Sequence, residues 1–327
     1  MSERGLGMRV CLMIEGQEGV TWEQWLALAK ACEQGGFEAL FRSDHYVSFG
    51  HPNEWGALDA WATLSALAAS TERIRLGTLV SPVTFRHPSE LAKAVVTADH
   101  ASGGRVELGM GAGWFEVEHR AYGFPFPPDR ERYSMLEEQI EIVHRLLDHD
   151  PAPVTFEGTY YRLEACPGLP KPIQDPHPPI ILGGEAGPRA ARLAALWADE
   201  YNMNGVAPDD VRRGRDRLSA ACERAGRDPS TLSLSLMTTT LMASDVKDLE
   251  GRAARLLARR GDTSDPASYL AGLGPKRIIG TPDRVIEQLA AFAQAGVQRV
   301  MLQHLVHEDL EAVALIGERI IPAVADL

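Results

Sequence analysis

Asp44 and His45 stand together in "FRSDH", a carboxylate beside an imidazole at the end of a short apolar run. An imidazole changes charge near neutral pH, so such a pair is a natural place to move a proton. Other residues able to do chemistry fall at the same point of similar runs. Glu15 follows "VCLMI", Ser81 and Pro82 follow "IRLGTLV", "GMGAG" and Trp114 follow "VEL", Gly183 and Gly184 follow "PPIIL", Asn202 lies in "DEYNMN", and Gln303 and His304 follow "VML". Loops are polar in any case, which accounts for any one of these positions as well as function does. Taken together they bring a carboxylate–imidazole pair, two glycine clusters and an amide to one kind of place.

The elements that must hold them repeat a single unit. "WLALAKACEQGGFEALFRSD" reads as an amphipathic helix, a Gly-Gly stop and a short strand, and "VIEQLAAFAQAGVQRVMLQH" has the same grammar near the other end. Strands are expected over 8–14, 39–41, 74–79, 106–108, 179–182, 199–203, 232–237 and 300–302. Each reads as apolar throughout, as in a parallel sheet covered on both faces. Eight strands with helices between them predict an α/β fold of the (β/α)8 TIM-barrel type, whose chemistry sits at the C-terminal ends of the strands. Three stretches interrupt the rhythm. "GWFEVEHRAYGFPFPPDRERY" reads as an aromatic loop with no helix until its end, "VTFEGTYYRL" as a hairpin about Gly158, and "RRGDTSDPASYLAGLGPKRIIGTP" as irregular. These are insertions rather than linkers, so one domain is expected over 1–327.

Composition narrows the partners. Of 327 residues 45% are hydrophobic, and the formal net charge is −12, which speaks against nucleic acid or an anionic membrane surface as a partner. Cys11, Cys32, Cys166 and Cys222 are far apart, which suits buried thiols in a reducing compartment. The N-terminal segment has no apolar run long enough for a signal peptide or a membrane span, so a soluble cytoplasmic protein is expected. "GMGAG" lacks the third glycine of a dinucleotide fingerprint, Trp114 standing in its place. "ILGGEAGPRAARLAAL" is placed to hold a phosphate at a helix N-terminus, though a tight turn needing positive φ explains the same glycines. No metal is expected, since His51, His100 and His119 are isolated and "HEDLE" is not H-E-x-x-H.

Four stretches carry a resemblance that spans nearly the whole chain: "FRSDH", "ALAASTERIRLGTLVSPVTFRHPSELAKAVVTADHASGGRVELGMGAGWFEVEHRAYG", "PPIILGGEAGPRAARLAALWADEYN" and "IIGTPDRVIEQLAAFAQAGVQRVML". Together they resemble the luciferase-like monooxygenase superfamily, and the third is most similar to its branch using the deazaflavin coenzyme F420. The resemblance implies a bacterial-luciferase-like barrel with insertions and a flavin or deazaflavin at the C-terminal face. It implies that the third strand ends in a bulge with a non-prolyl cis peptide at Leu79–Val80, backing the central ring of the cofactor, with Ser81 carrying the chain onward. It places Asp44 and His45 beside the reactive ring, the imidazole moving a proton as hydride moves, with Glu15 the next candidate for that role. Gly111, Ala112, Gly113 and Trp114 are implied along the ring and ribityl chain, Gly183 and Gly184 at the phosphate, and Asn202 among the cofactor contacts. Several sugar-phosphate-oxidising relatives have a glutamate where Trp114 stands, and no lysine pair for a sugar phosphate is evident. The aromatic residues over 114–133 suggest an apolar or planar small-molecule substrate. The implied function is hydride transfer between coenzyme F420 and that substrate by a homodimer. The alternatives are an FMN-dependent monooxygenase and a silent cofactor carrier.

Overall fold

The computed structural model describes residues 7–327; residues 1–6 of the expected domain lie outside the described residues. Eight parallel strands close into a barrel: Arg9–Ile14, Ala39–Arg42, Arg75–Thr78, Val106–Gly111, Ile180–Gly183, Glu200–Asn204, Ser233–Met242 and Arg299–His304. Each pairs with the next in chain order, and the last pairs with the first in the register Cys11 to Met301 and Leu12 to Leu302, so the ring has no free edge. These are the eight expected runs, displaced at most a few residues at their ends. Helices Trp22–Gly35, Ala60–Ser70, Pro88–Ser102, Asp129–Leu147, Pro188–Trp197, Pro208–Arg224, Val246–Arg259 and Pro282–Ala295 cover the outside.

Local chemistry sets their ends. Thr21 and Gln24 form a capping box at the first helix, and Gly36, at φ +76°, lets the chain leave it in the left-handed conformation. Most buried apolar side chains pack between strands and helices, whereas a smaller cluster inside the barrel joins Cys11, Met13, Phe41, Ile181, Met237 and Met301.

Three expectations need correction. The stretch after Trp114 contains a helix, Glu116–Tyr122, started by acidic residues in its first turn and stopped by Gly123 at φ +74°. The piece over 259–282 holds a helix, Pro266–Ala271, and a strand, Ile278–Gly280, which extends the barrel wall beside Thr240. The strands, moreover, are not apolar throughout. Arg9, Arg75, Glu107, Glu200 and Arg299 lie at or beside strand starts, and with Glu38 they fill the barrel floor with three cations and three anions. Arg299, almost fully buried, reaches Glu107 at 2.6 Å, Glu38 at 2.7 Å and Glu200 at 3.1 Å. The expected hairpin is present as Val154–Glu157 with Arg162–Cys166, its tip held by the Glu138 carboxylate, which accepts from the backbone N–H groups of Thr159, Tyr160 and Tyr161. Among the described residues no helix is long and apolar enough to cross a membrane.

Candidate active site

The third strand does not end cleanly. Gly77 pairs with Glu107, but Ser81 pairs with Met110, so four steps on one side face three on the other and one extra residue is accommodated. That is the expected bulge, and the Leu79–Val80 peptide within it is cis. It also accounts for two glycines of "GMGAG". A Cβ on Gly109 would lie 2.1 Å from the Thr78 carbonyl oxygen, and one on Gly111 would lie 2.7 Å from the Val80 side chain. Those glycines are therefore required first by the bulge, and a ligand meets the wall that results. Gly113 turns the chain at φ +77°.

This wall faces a cavity of about 600 Å³ at the C-terminal mouth. Of the residues singled out above, Glu15, His45, Leu79, Val80, Gly111, Ala112, Gly113, Trp114, Gly183, Gly184 and Asn202 line it. Asp44 and Ser81 do not. Just past the end of the second strand at Arg42, Ser43 and His45 face the cavity and Asp44 faces away from it. There it is buried, accepting from the Ser81 hydroxyl at 2.8 Å and from Arg86 at 2.5 Å, while Trp61 donates to the Ser81 oxygen at 3.0 Å. The pair braces the wall from behind instead of meeting a reactant. His304 likewise faces outward from its strand, buried beside Arg252 and Asp309, whereas Gln303 lines the cavity.

The inward group with the most developed surroundings is His45. Its Nδ1 is 2.7 Å from a carboxylate oxygen of Glu118, and the other oxygen of that carboxylate accepts from the Tyr46 N–H at 2.8 Å. Glu118 is buried and comes from the helix Glu116–Tyr122. The bond makes Nδ1 the donor and leaves Nε2 as the lone-pair nitrogen. Burial pulls the imidazole pKa down, but the hydrogen bond and charge of Glu118, with Glu15 and Asp44 further off, outweigh it and hold His45 above its ordinary value. His119 anchors the same helix, with Nε2 2.6 Å from the Thr84 hydroxyl and Nδ1 2.8 Å from the Phe115 carbonyl oxygen.

A carboxylate at position 118 can accept from both neighbours; an amide has one accepting oxygen. Glu118→Gln therefore either leaves the Tyr46 N–H unpaired or donates to Nδ1 and moves the ring proton to Nε2. Either way the carboxylate charge that helps to raise the His45 pKa is gone. The pH limb of kcat/KM set by this imidazole is expected to move to lower pH, with a loss of roughly tenfold or more at neutral pH, the scale of a mutated partner that orients a functional histidine. A pH–rate profile checks this; an unshifted limb contradicts it.

Glu15 accepts from Gln17 at 2.9 Å and from Gln303 at 2.6 Å, so both of its oxygens are engaged. Across the mouth, Gly184 has φ +142° and Ala186 φ +53°. The loop is pinned by Tyr201, whose hydroxyl accepts from the Ala186 N–H at 2.9 Å, and by Arg217, which donates to the carbonyl oxygens of Glu185 and Ala186. The helix that follows starts at Pro188 after Gly187, which supplies no side-chain cap, so its N-terminal N–H groups are not taken by a capping side chain. Asn202 is fixed by donating to the Ser235 hydroxyl at 2.9 Å. Arg132, unremarked in the sequence, lies on the cavity wall with a buried Nε that has no hydrogen-bond partner.

These features fit a flat, polyatomic cofactor. A Cβ at Gly183 would meet nothing nearer than the Val80 side chain at 3.7 Å, so packing does not demand glycine there, and the missing side chain keeps the wall beside the bulge low. The uncapped helix N-terminus supplies N–H groups for an anionic tail, and Arg132, whose terminal nitrogens are taken by Asp129 and the Pro127 carbonyl oxygen, adds its unpartnered Nε.

The luciferase-like monooxygenase family model matches residues 8–299. The chain belongs to that family. Relatives of established sequence likeness fall on both sides of its chemistry. An F420-dependent glucose-6-phosphate dehydrogenase of Beutenbergia cavernae is 36% identical over 88% of this chain and 87% of its own. An FMNH2-dependent dimethylsulfone monooxygenase of Pseudomonas putida is 28% identical over 92% and 87%. The family's barrel is also seen in the coenzyme F420-dependent tetrahydromethanopterin reductase of Methanopyrus kandleri, which superposes with a TM-score of 0.78 over 98% of this chain and 99% of that one at 22% identity.

Proposed function

We propose that the protein is a coenzyme F420-dependent oxidoreductase that exchanges a hydride with a small organic substrate. The observation carrying this reading is the pairing, in one cavity, of an apolar wall edged by glycines (Leu79–Val80, Gly111, Gly183) with a histidine whose Nδ1 is tied to a buried carboxylate. Leu79 and Val80 would rest against the ring system, Gly111 to Gly113, Trp114 and Asn202 would run along it, and Gly183, Gly184 and Arg132 would meet the phosphate end. When bound, the deazaflavin supplies a carbon that accepts or donates two electrons as hydride and that reacts poorly with oxygen. The chain does the rest. For an alcohol, hydride leaves the carbinol carbon while the hydroxyl proton passes to Nε2 of His45; for a carbonyl, the imidazolium returns that proton to the oxygen. Glu118 keeps the ring in the required tautomer, and Glu15 adds negative charge near the proton.

The dimethylsulfone monooxygenase among the relatives favours one alternative, an FMN-dependent enzyme that consumes oxygen. Turnover separates the two. Reduced deazaflavin is expected to be reoxidised by a carbonyl substrate at the same rate in air and under argon, with no oxygen uptake; oxygen-dependent oxidation of reduced FMN would support the alternative instead. The reading includes a homodimer acting in the cytoplasm.

A further inference from the structure

A second cavity of about 410 Å³ adjoins the first and shares Glu15, Phe49 and Gln303 with it. It opens between the loops after the first and second strands, the end of the helix Val246–Arg259 and Leu305 after the last strand. Apart from Glu15 at its inner end, the proposed function uses none of its lining. Its walls are unequal. Phe49, Trp55, Leu256 and Leu305 give flat and apolar surface, with Trp55 held in place: the Arg259 guanidinium lies 4.4 Å from its ring centroid and the His51 ring 4.0 Å away.

Its charges are graded from one end to the other. At the inner end Glu15 is buried, its carboxylate engaged by Gln17 and Gln303. Glu18 is equally occupied, accepting from the Ser48 hydroxyl at 2.8 Å and the Phe49 N–H at 2.9 Å. Arg259 is committed to Glu308 at 2.6 Å, to the Glu18 carbonyl oxygen and to the face of Trp55. Arg260 is not. Exposed at the solvent end, it makes no ion pair within 4 Å among the described residues and donates only to the Tyr269 hydroxyl, at 3.4 Å, while the exposed Asp262 carboxylate lies near enough to feel its charge.

We propose, building on the hydride-transfer reading, that this second cavity holds the substrate and selects a flat apolar organic acid. The reacting carbon would sit at the inner end beside Glu15 and His45, the apolar body against Trp55 and Phe49, and the carboxylate at Arg260. An anion at the inner end would face Glu15, whereas at the outer end it meets an uncommitted guanidinium suited to carboxylate geometry. Phe49, Trp55, Leu256 and Leu305 give no hydrogen-bonding partners to a sugar body, and Glu15, Glu18, His51 and Gln303 already have partners within the chain, so a sugar phosphate matches the charge better than the rest.

The test is calorimetric, with the full-length protein, in the presence and absence of deazaflavin, using three probes: 4-acetylbenzoate, the neutral 4-acetylbenzamide and glucose 6-phosphate. The benzoate is expected to bind at least tenfold more tightly than the amide and than the sugar phosphate. Arg260→Gln is expected to bring the benzoate and amide within about threefold of each other and to leave deazaflavin affinity unchanged; Arg212→Gln, on a distant helix, should alter neither. Equal binding of benzoate and amide, tighter binding of the sugar phosphate, a preference that survives Arg260→Gln, or binding of no probe at millimolar concentration overturns the proposal. Deazaflavin affinity is read separately, so a protein that binds the benzoate selectively but not the deazaflavin would refute the proposed function and leave this cavity assignment standing.

Discussion

His45→Asn is expected to slow hydride transfer by roughly 10²–10⁴-fold, the usual worth of a positioned proton carrier, while leaving the fold and cofactor affinity nearly unchanged. The choice of asparagine follows from the partners. His45→Ala would leave the Glu118 carboxylate, buried and accepting only from Tyr46, without its second donor, and an unpaired buried charge is itself costly. An asparagine amide can occupy the position of Nδ1 and still donate to Glu118, but it has nothing at the position of Nε2. The variant therefore removes the proton-carrying atom and keeps the structural bond. Single-turnover hydride transfer and thermal unfolding on the same sample separate the roles. A large rate loss with a melting temperature near that of the wild type supports proton transfer. A near-normal rate in a folded variant assigns the proton elsewhere, with Glu15 next in line.

Arg299→Met is expected to produce the largest loss of stability, about 3–5 kcal/mol, the range seen when one partner is removed from a buried charge cluster. The guanidinium donates to both oxygens of Glu107, at 2.6 and 3.0 Å, and contacts Glu200 and Glu38 besides. Burial raises the pKa of Glu107, and Arg299, with Arg75, more than reverses this, bringing the carboxyl to about 2. Burial dominates at Glu200, whose pKa stays raised despite Arg299. With Arg299 gone, burial acts on both carboxylates with less opposition. A carboxyl group whose folded pKa lies above its unfolded value binds its proton more tightly when folded, so its stability contribution is greatest at low pH and falls as pH rises through that pKa. The deficit of Arg299→Met is therefore expected to be smaller at mildly acidic pH than at neutral pH. Urea unfolding at two pH values measures it. Loss of the exposed Arg284–Glu287 pair by Arg284→Met should cost well under 1 kcal/mol by comparison.

The barrel was legible because short apolar runs alternate with amphipathic helices, and because the Gly-Gly and Gly stops mark the ends of helices such as Trp22–Gly35. Most of the cavity wall was legible for the same reason: once strand ends are known, the chain's inward residues at those ends follow. Asp44 and Ser81, which the resemblance set at the cofactor, instead bond to each other behind the wall, because the chain directions past Arg42 and through the bulge are set by tertiary contacts that the sequence does not show. Glu118 was not legible at all as the partner of His45, since the two lie 73 residues apart and meet only because a short helix forms in a stretch that reads as aromatic loop. A signal for that helix was present in the acidic first turn and the Gly123 stop. The floor also had a signal: charged residues recur at or beside the starts of six strands, at Arg9, Glu38, Arg75, Glu107, Glu200 and Arg299, where a merely apolar strand would have none.

The central claim is that the cavity lined by the Leu79–Val80 bulge, Gly111 and Gly183 takes a deazaflavin. Equilibrium titration of the purified protein with coenzyme F420 and with FMN, followed by the absorbance and fluorescence of each, tests it most directly. The expected result is saturable binding of the deazaflavin at least tenfold tighter than FMN, a difference of about 1.4 kcal/mol. Equal or tighter binding of FMN, accompanied by oxygen uptake on reduction, would contradict it.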